Sequence, residues 1–131
     1  MRSRKGFTLV ELLVVIIIVG VLASVAIPLM SGYVNRAKKT EAISALGTIR
    51  SAERAYFAEN GKYLAITTPA TDWGGTAGNA LGIGKTDLDG KYYNNTCYTV
   101  DTTSNTINAA AGASSAAACG MNMDGTIYNG G

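Results

Sequence analysis

From Gly6 to Met30 the chain is apolar on every side. The stretch GFTLVELLVVIIIVGVLASVAIPLM holds one charge, Glu11, and Leu12 to Met30 is a run of 19 residues without an ionisable side chain. At about 1.5 Å of rise per residue, a helix of that length matches the roughly 30 Å of a bilayer's hydrocarbon core. A helix in a soluble core would keep polar residues on its outer face, whereas Leu, Val and Ile occupy all faces here. The pattern predicts a membrane-competent helix over 7–30. It has two weak points: Gly20, and Pro28, which lacks the N–H that would pair with the Ser24 carbonyl.

Beyond Met30 the pattern changes period. Ile43, Leu46, Ile49 and Tyr56 recur at helical spacing among polar residues, predicting an amphipathic helix over 31–60 that stops at Asn60-Gly61 and offers a narrow seam to a small core. Residues 61–131 turn to Gly, Ala, Thr, Asn and Ser. Within them, 62–91 reads as a long surface connection with turns at Pro69, Gly74-Gly75, Gly78 and Asp89-Gly90. Short strand-prone runs follow at 91–93, 96–101, 106–110, 117–123 and 126–128, with Asp124-Gly125 as a two-residue hairpin turn. The expected fold is α+β: a long N-terminal helix, its apolar half protruding, its amphipathic half packed on an antiparallel sheet of three or four strands. The 131 residues are enough for one small domain and an anchor.

Glu11 is the anomaly in the apolar run. An acid well inside a membrane helix costs about 3 kcal/mol on insertion scales and calls for a partner. No Lys or Arg lies between Phe7 and Tyr33, while Arg2, Arg4 and Lys5 stand on the other side of Gly6. A cut after Gly6 removes those three cations and creates a positive amine on Phe7, four residues from Glu11 on one helix face. Within a chain, or between neighbours with a small axial offset, amine and carboxylate could meet in apolar, weakly screened surroundings. An ordinary secretory signal, cut after the apolar segment near Ala23 to Ala26, would demand neither Gly-Phe nor the acid that follows.

Residues Arg4 to Leu13, RKGFTLVELL, closely resemble the class III signal of type IV pilins and pseudopilins. The resemblance covers about 30 residues and implies that 1–6 is a leader removed by a prepilin peptidase, with Gly6 at the cleavage site. It implies that Phe7 becomes the N-methylated first residue and that Glu11 guides assembly into a helical homopolymer. It also implies that the stretch between Gly20 and Pro28 can lose helicity in the fibre; a static bend that aims the domain is the alternative. The precursor is then expected in a bacterial inner membrane, passing through a pilus assembly platform to the cell surface. The role expected is that of a major-type pilus subunit, serving motility, adhesion or DNA uptake. A major pseudopilin of type II secretion shares the same first residues and is the nearest rival. A single-pass anchored binding domain that never polymerises is the rival from another class.

In such an exported domain, Cys97 and Cys119, the two cysteines, are expected to form a disulfide; a redox or metal role would want closer spacing or more ligands. Many type IV pilins have a similar loop near the C-terminus. The 11 Lys and Arg against 9 Asp and Glu give a formal +2, but without Arg2, Arg4 and Lys5 the count is 8 against 9. No specific nucleic-acid partner is expected from that balance. The absence of His removes imidazole bases and ligands, and no nucleophile, base and orienting acid can be assembled, so no enzymatic activity and no cofactor or metal are expected. Asp87 and Asp89 start like an oxygen-rich calcium loop but lack its later acids, which favours a polar turn. Asn94-Asn95-Thr96 fits a glycosylation triplet without further support, and the aromatic residues read as core and interface packing.

Overall fold

The computed structural model describes residues 6–109 and 118–129. The chain divides into two compact units between Val34 and Asn35. Helix α1, Leu9–Asn60, contributes to both, and each is taken by itself.

In the first unit every described residue up to Tyr33 is exposed, including the Leu, Val and Ile side chains from Leu12 to Val19. The helix is long and apolar enough to cross a membrane. It stays helical through Gly20 and Pro28. Two serines turn their hydroxyls onto their own turns: Ser24 Oγ donates to the Val21 carbonyl at 2.7 Å and Ser31 Oγ to that of Pro28 at 2.9 Å.

In the second unit α1 buries Ala42, Leu46, Ile49 and Glu53 completely, in steps of four, three and four. The expected seam is therefore rotated by a fraction of a turn, with Ile43 and Tyr56 only partly buried at its flanks. The small Ala42 allows close approach. Glu53 takes the fourth position because its carboxylate has a task there: Oε2 accepts the Leu64 N–H at 2.9 Å. Burial pushes the Glu53 carboxyl above the usual range, against the opposing pull of that N–H, and Oε1 has no partner among the described residues.

The segment expected as a plain connection carries much of the core. It folds into α2 (Pro69–Asp72), α3 (Thr76–Leu81) and a 3-10 turn at Lys85–Leu88, and it buries Ile66, Trp73, Leu81, Ile83 and Leu88. Asp72 closes α2 by accepting the N–H groups of Thr67 and Thr68 at 3.1 and 2.8 Å. Ile66 exchanges two backbone hydrogen bonds with Val100, and Trp73 Nε1 donates to the Tyr98 carbonyl at 3.0 Å. These contacts dock the segment on the sheet. Gly78 is required by crowding, since a Cβ there would overlap the Trp73 carbonyl.

The sheet is an antiparallel meander of β1 (Tyr98–Asp101), β2 (Thr106–Ala109), β3 (Cys119–Asn122) and β4 (Ile127–Asn129), in that order. Tyr98 faces Ala109, which faces Cys119. Inward residues Tyr98, Val100, Ile107, Ala109 and Met121 meet Ala42, Leu46 and Ile49 in one core. On the other face Tyr128 lies over Gly120, where a Cβ would overlap its ring, and its hydroxyl donates to Asn108 Oδ1.

Several expected bounds shift for identifiable reasons. Residues 91–93 form no strand, because their N–H groups go to a side chain rather than a ladder. β1 starts at Tyr98 because Asn94 caps a 3-10 turn over Asn95–Cys97. The β3–β4 turn has three residues, Met123, Asp124 and Gly125, with the Asn122 N–H donating to the Thr126 carbonyl and Gly125 at φ 102°. The ends expected at Ala110 and Ala117 lie outside the described residues.

Candidate functional site

The first candidate site is the start of α1. Glu11 closes a reciprocal cap with Thr8: Oε2 accepts the Thr8 N–H at 2.9 Å and the Thr8 hydroxyl at 2.8 Å, while the Glu11 N–H donates back to Thr8 Oγ1 at 3.3 Å. Sequence reasoning treated Glu11 only as a carboxylate in search of a cation and missed the cap, although the signal was present as Thr-x-x-Glu ahead of an apolar run. The second oxygen, Oε1, has no hydrogen-bond partner among the described residues. The carboxylate is thus oriented through one oxygen, and the other has no partner among the described residues.

Phe7 is 78% exposed, and nothing lies within 4 Å of where a Cβ on Gly6 would stand. Neither the fold nor local crowding asks for glycine at position 6. Gly20 has the same open surroundings.

Cys97 and Cys119 are present as two buried thiols. Cys97 Sγ donates to Asn94 Oδ1 at 3.3 Å, and burial pushes the Cys119 thiol up, opposed by the charge of Lys39. Both thiols act on the Tyr93 phenol, whose pKa burial raises first and the two sulfurs further. Asp87 and Asp89 serve the loop itself: Asp87 Oδ2 accepts the Gly84 N–H at 2.8 Å, and Asp89 Oδ1 accepts the backbone and side-chain N–H groups of Asn95 at 3.0 Å. No cluster of three or more metal-ligating side chains occurs among the described residues. Asn94 Oδ1 accepts from the N–H and hydroxyl of Thr96 at 3.2 and 2.6 Å, which caps the turn.

Two clamps on α1 had no sequence signal. Glu41 accepts the consecutive N–H groups of Lys91, Tyr92 and Tyr93 at 3.2, 2.8 and 2.9 Å, and it gathers Lys91 and Lys38 at the Tyr92 ring. Arg50 donates through Nε to the Met123 carbonyl at 3.0 Å and through Nη2 to that of Asp124 at 2.8 Å. Arg50, Arg54 and Tyr63 line a polar cleft of about 660 Å³ with Ser104, Asn105, Asn122 and Asp124. At its border Phe57, 43% exposed, stacks on Tyr63 with ring centroids 4.6 Å apart.

An apolar helix that is capped at its start and exposed on every face, and a separate α+β unit, are the two features to be matched. The comparisons make this specific. A family model described as the prokaryotic N-terminal methylation motif matches residues 1–27, and one described as "Type IV minor pilin ComP, DNA uptake sequence receptor" matches residues 28–123. The chain belongs to the type IV pilin family, in the group of that minor pilin. It is 33% identical over 108 residues to fimbrial protein EcpC of Eikenella corrodens, covering 82% of this chain and 63% of that protein. It is 40% identical over 89 residues to type IV major pilin protein PilE1 of Neisseria gonorrhoeae, covering 68% and 48%. It is 36% identical over 69 residues to a fimbrial protein of Pseudomonas aeruginosa, covering 53% and 45%. The chain spans roughly half the length of most of these relatives.

Proposed function

We propose that this chain is a structural subunit of a type IV pilus, processed after Gly6, methylated on Phe7 and polymerised through its N-terminal helix. The observation that carries the reading is the apolar helix exposed on every face, beginning at a carboxylate with one oxygen oriented by Thr8 and the other without a partner among the described residues. In this proposal the Phe7 amine occupies that second oxygen, neighbouring helices replace the lipid, and Gly20 to Pro28 is the stretch that yields as the fibre forms. The Cys97 and Cys119 thiols, both buried in the one core, pass two electrons and two protons to an external disulfide donor on export and form a disulfide that staples β3 to the start of β1. Relatives described as fimbrial and pilin proteins are structural, which supports a non-enzymatic role. A pseudopilin of type II secretion would instead show calcium-dependent folding and no long external fibres.

The test is electron microscopy of sheared cell-surface material, with the N-terminal residue of the subunit read by mass spectrometry. A methylated Phe7 in long fibres is the expected result; fibres that retain the leader sink the proposal. Gly6→Leu is expected to accumulate as an uncut precursor in the membrane fraction, visible as a slower band on a gel. Normal cleavage of that variant would show that glycine is not what the peptidase reads.

A second reading, reception of DNA by the pilus, is favoured by one face. Arg54 makes no hydrogen bond or ion pair among the described residues and stands with Arg50 beside the Phe57–Tyr63 stack. Cations beside an exposed aromatic ring, here Phe57, suit phosphates and bases. The whole-chain charge count gave no hint of it, because a sum says nothing of distribution. Arg54→Gln is expected to lower the slope of log affinity for DNA against log salt by about one. An unchanged slope removes this reading and leaves the pilus subunit standing.

A further inference from the structure

Between Glu11 and Glu41 every charged side chain is basic: Arg36, Lys38 and Lys39. The fold adds a fourth cation. Glu41 accepts the N–H groups of Lys91, Tyr92 and Tyr93 at 2.8 to 3.2 Å, so the loop is pinned on α1 and Lys91 is carried to the turn that bears Lys38. The two ammonium groups share one ring: Lys91 Nζ lies 5.3 Å and Lys38 Nζ 5.6 Å from the Tyr92 centroid. The acid among these cations is Glu41, whose carboxylate is taken up by the three N–H groups, while Asp87 and Asp89 line the cleft beside Thr40 to Thr48 and accept hydrogen bonds from Gly84 and Asn95. On α1 itself the first charges after the apolar run are therefore the cations Arg36, Lys38 and Lys39, ahead of Glu41.

Eight residues separate Met30 from Lys38, no more than about 28 Å even fully extended. A chain anchored by its apolar helix cannot carry these cations far from the headgroup layer. We propose that Arg36, Lys38, Lys39 and Lys91 form a contact surface for the anionic phospholipid headgroups of the membrane that holds the unassembled subunit, and that entry into the fibre releases it. The proposal rests on the membrane-anchored reading. It adds a function for Glu41, which positions Lys91 in the surface without touching the lipid.

The test uses the full-length chain in vesicles of phosphatidylcholine alone or with about a quarter phosphatidylglycerol, each cation near an anionic surface counting for about fivefold in affinity. Lysines are acylated briefly and read by mass spectrometry. Lys38 and Lys91 are expected to react about fivefold more slowly in the anionic vesicles, while Lys62 and Lys85 react alike in both; raised salt abolishes the difference. The double variant Arg36→Gln, Lys39→Gln is expected to restore much of the rate at Lys38 and Lys91. Equal rates in both vesicles overturn the proposal, as does equal protection of all four lysines. Protection by millimolar inorganic phosphate in neutral vesicles would mean a free-phosphate site instead, and also overturns it. Failure of the chain to float with either vesicle is a different outcome, which overturns the anchored reading itself.

Discussion

Glu11→Ala is expected to leave processing and the folding of the second unit intact while surface fibres fall below detection. The cap lost with the carboxylate is worth about 1 kcal/mol, too little to unfold a helix of 52 residues. In the proposed fibre the larger loss lies between subunits. An amine and a carboxylate about 4 Å apart at an effective dielectric near 20 attract by about 4 kcal/mol, which is about a thousandfold in the affinity of each subunit for the growing end. The structure supplies a control that separates the two contributions. In Glu11→Gln the side-chain oxygen can still accept from the Thr8 N–H and hydroxyl, so the cap persists while the charge is gone. Fibres are expected to be lost there too. If Glu11→Gln assembles normally, the cap is what matters and the proposed charge pairing with Phe7 is wrong. The measurements are the yield of sheared fibres on a gel and the mass of the processed subunit.

What was legible in the sequence depended on whether a feature had a period. The long helix announces itself by unbroken apolarity and then by steps of three and four. The strands announce themselves by β-branched and aromatic runs between turn residues, and the sheet has four strands near the expected places. The segment 62–91 had no such signal, because helices of four and six residues are too short to show a period. Its core residues, Ile66, Trp73, Leu81 and Leu88, are separated by Gly, Thr and Asn; they are buried by joining the common core, with Ile66 and Trp73 hydrogen-bonded to β1, rather than by local pattern. Lys91 to Tyr93 was misread for the opposite reason. Its aromatics favour a strand, but three consecutive N–H groups given to one carboxylate leave nothing to pair with a neighbour. At the N-terminus the methylation motif was legible because its offsets are local. The Glu41 and Arg50 clamps, which bridge 50 and more residues, were not.

The same long reach makes Glu41 a sensitive point for stability. Glu41→Ala is expected to lower the melting temperature of the second unit by about 15 °C. Removing the carboxylate leaves the Tyr93 N–H on a buried residue and the Tyr92 N–H on a half-buried one without an acceptor, while that of exposed Lys91 rehydrates. Two lost bonds to a charged acceptor cost about 3 kcal/mol together, and each kcal/mol shifts a domain of this size by about 4 to 8 °C. Glu41→Gln keeps one oxygen for the loop and is expected to fall roughly halfway. The pH dependence follows from the titration of the same group. Burial alone would push the Glu41 carboxyl up, but the N–H groups of Tyr92, Tyr93 and Lys91 and the charge of Lys91 outweigh it and hold it below its ordinary 4.5. A depressed folded value means that the ionised form is favoured in the native state, so this stabilisation is present above the unfolded value and is lost as pH falls through the folded one. The wild type should therefore lose melting temperature more steeply than Glu41→Ala as pH drops below 4.5, and the two curves should converge in acid. Thermal melts of the detergent-solubilised chain between neutral and strongly acid pH measure both effects. Parallel curves, or a neutral-pH difference of only a degree or two, would show that the loop is held by its packing and that Glu41 contributes little.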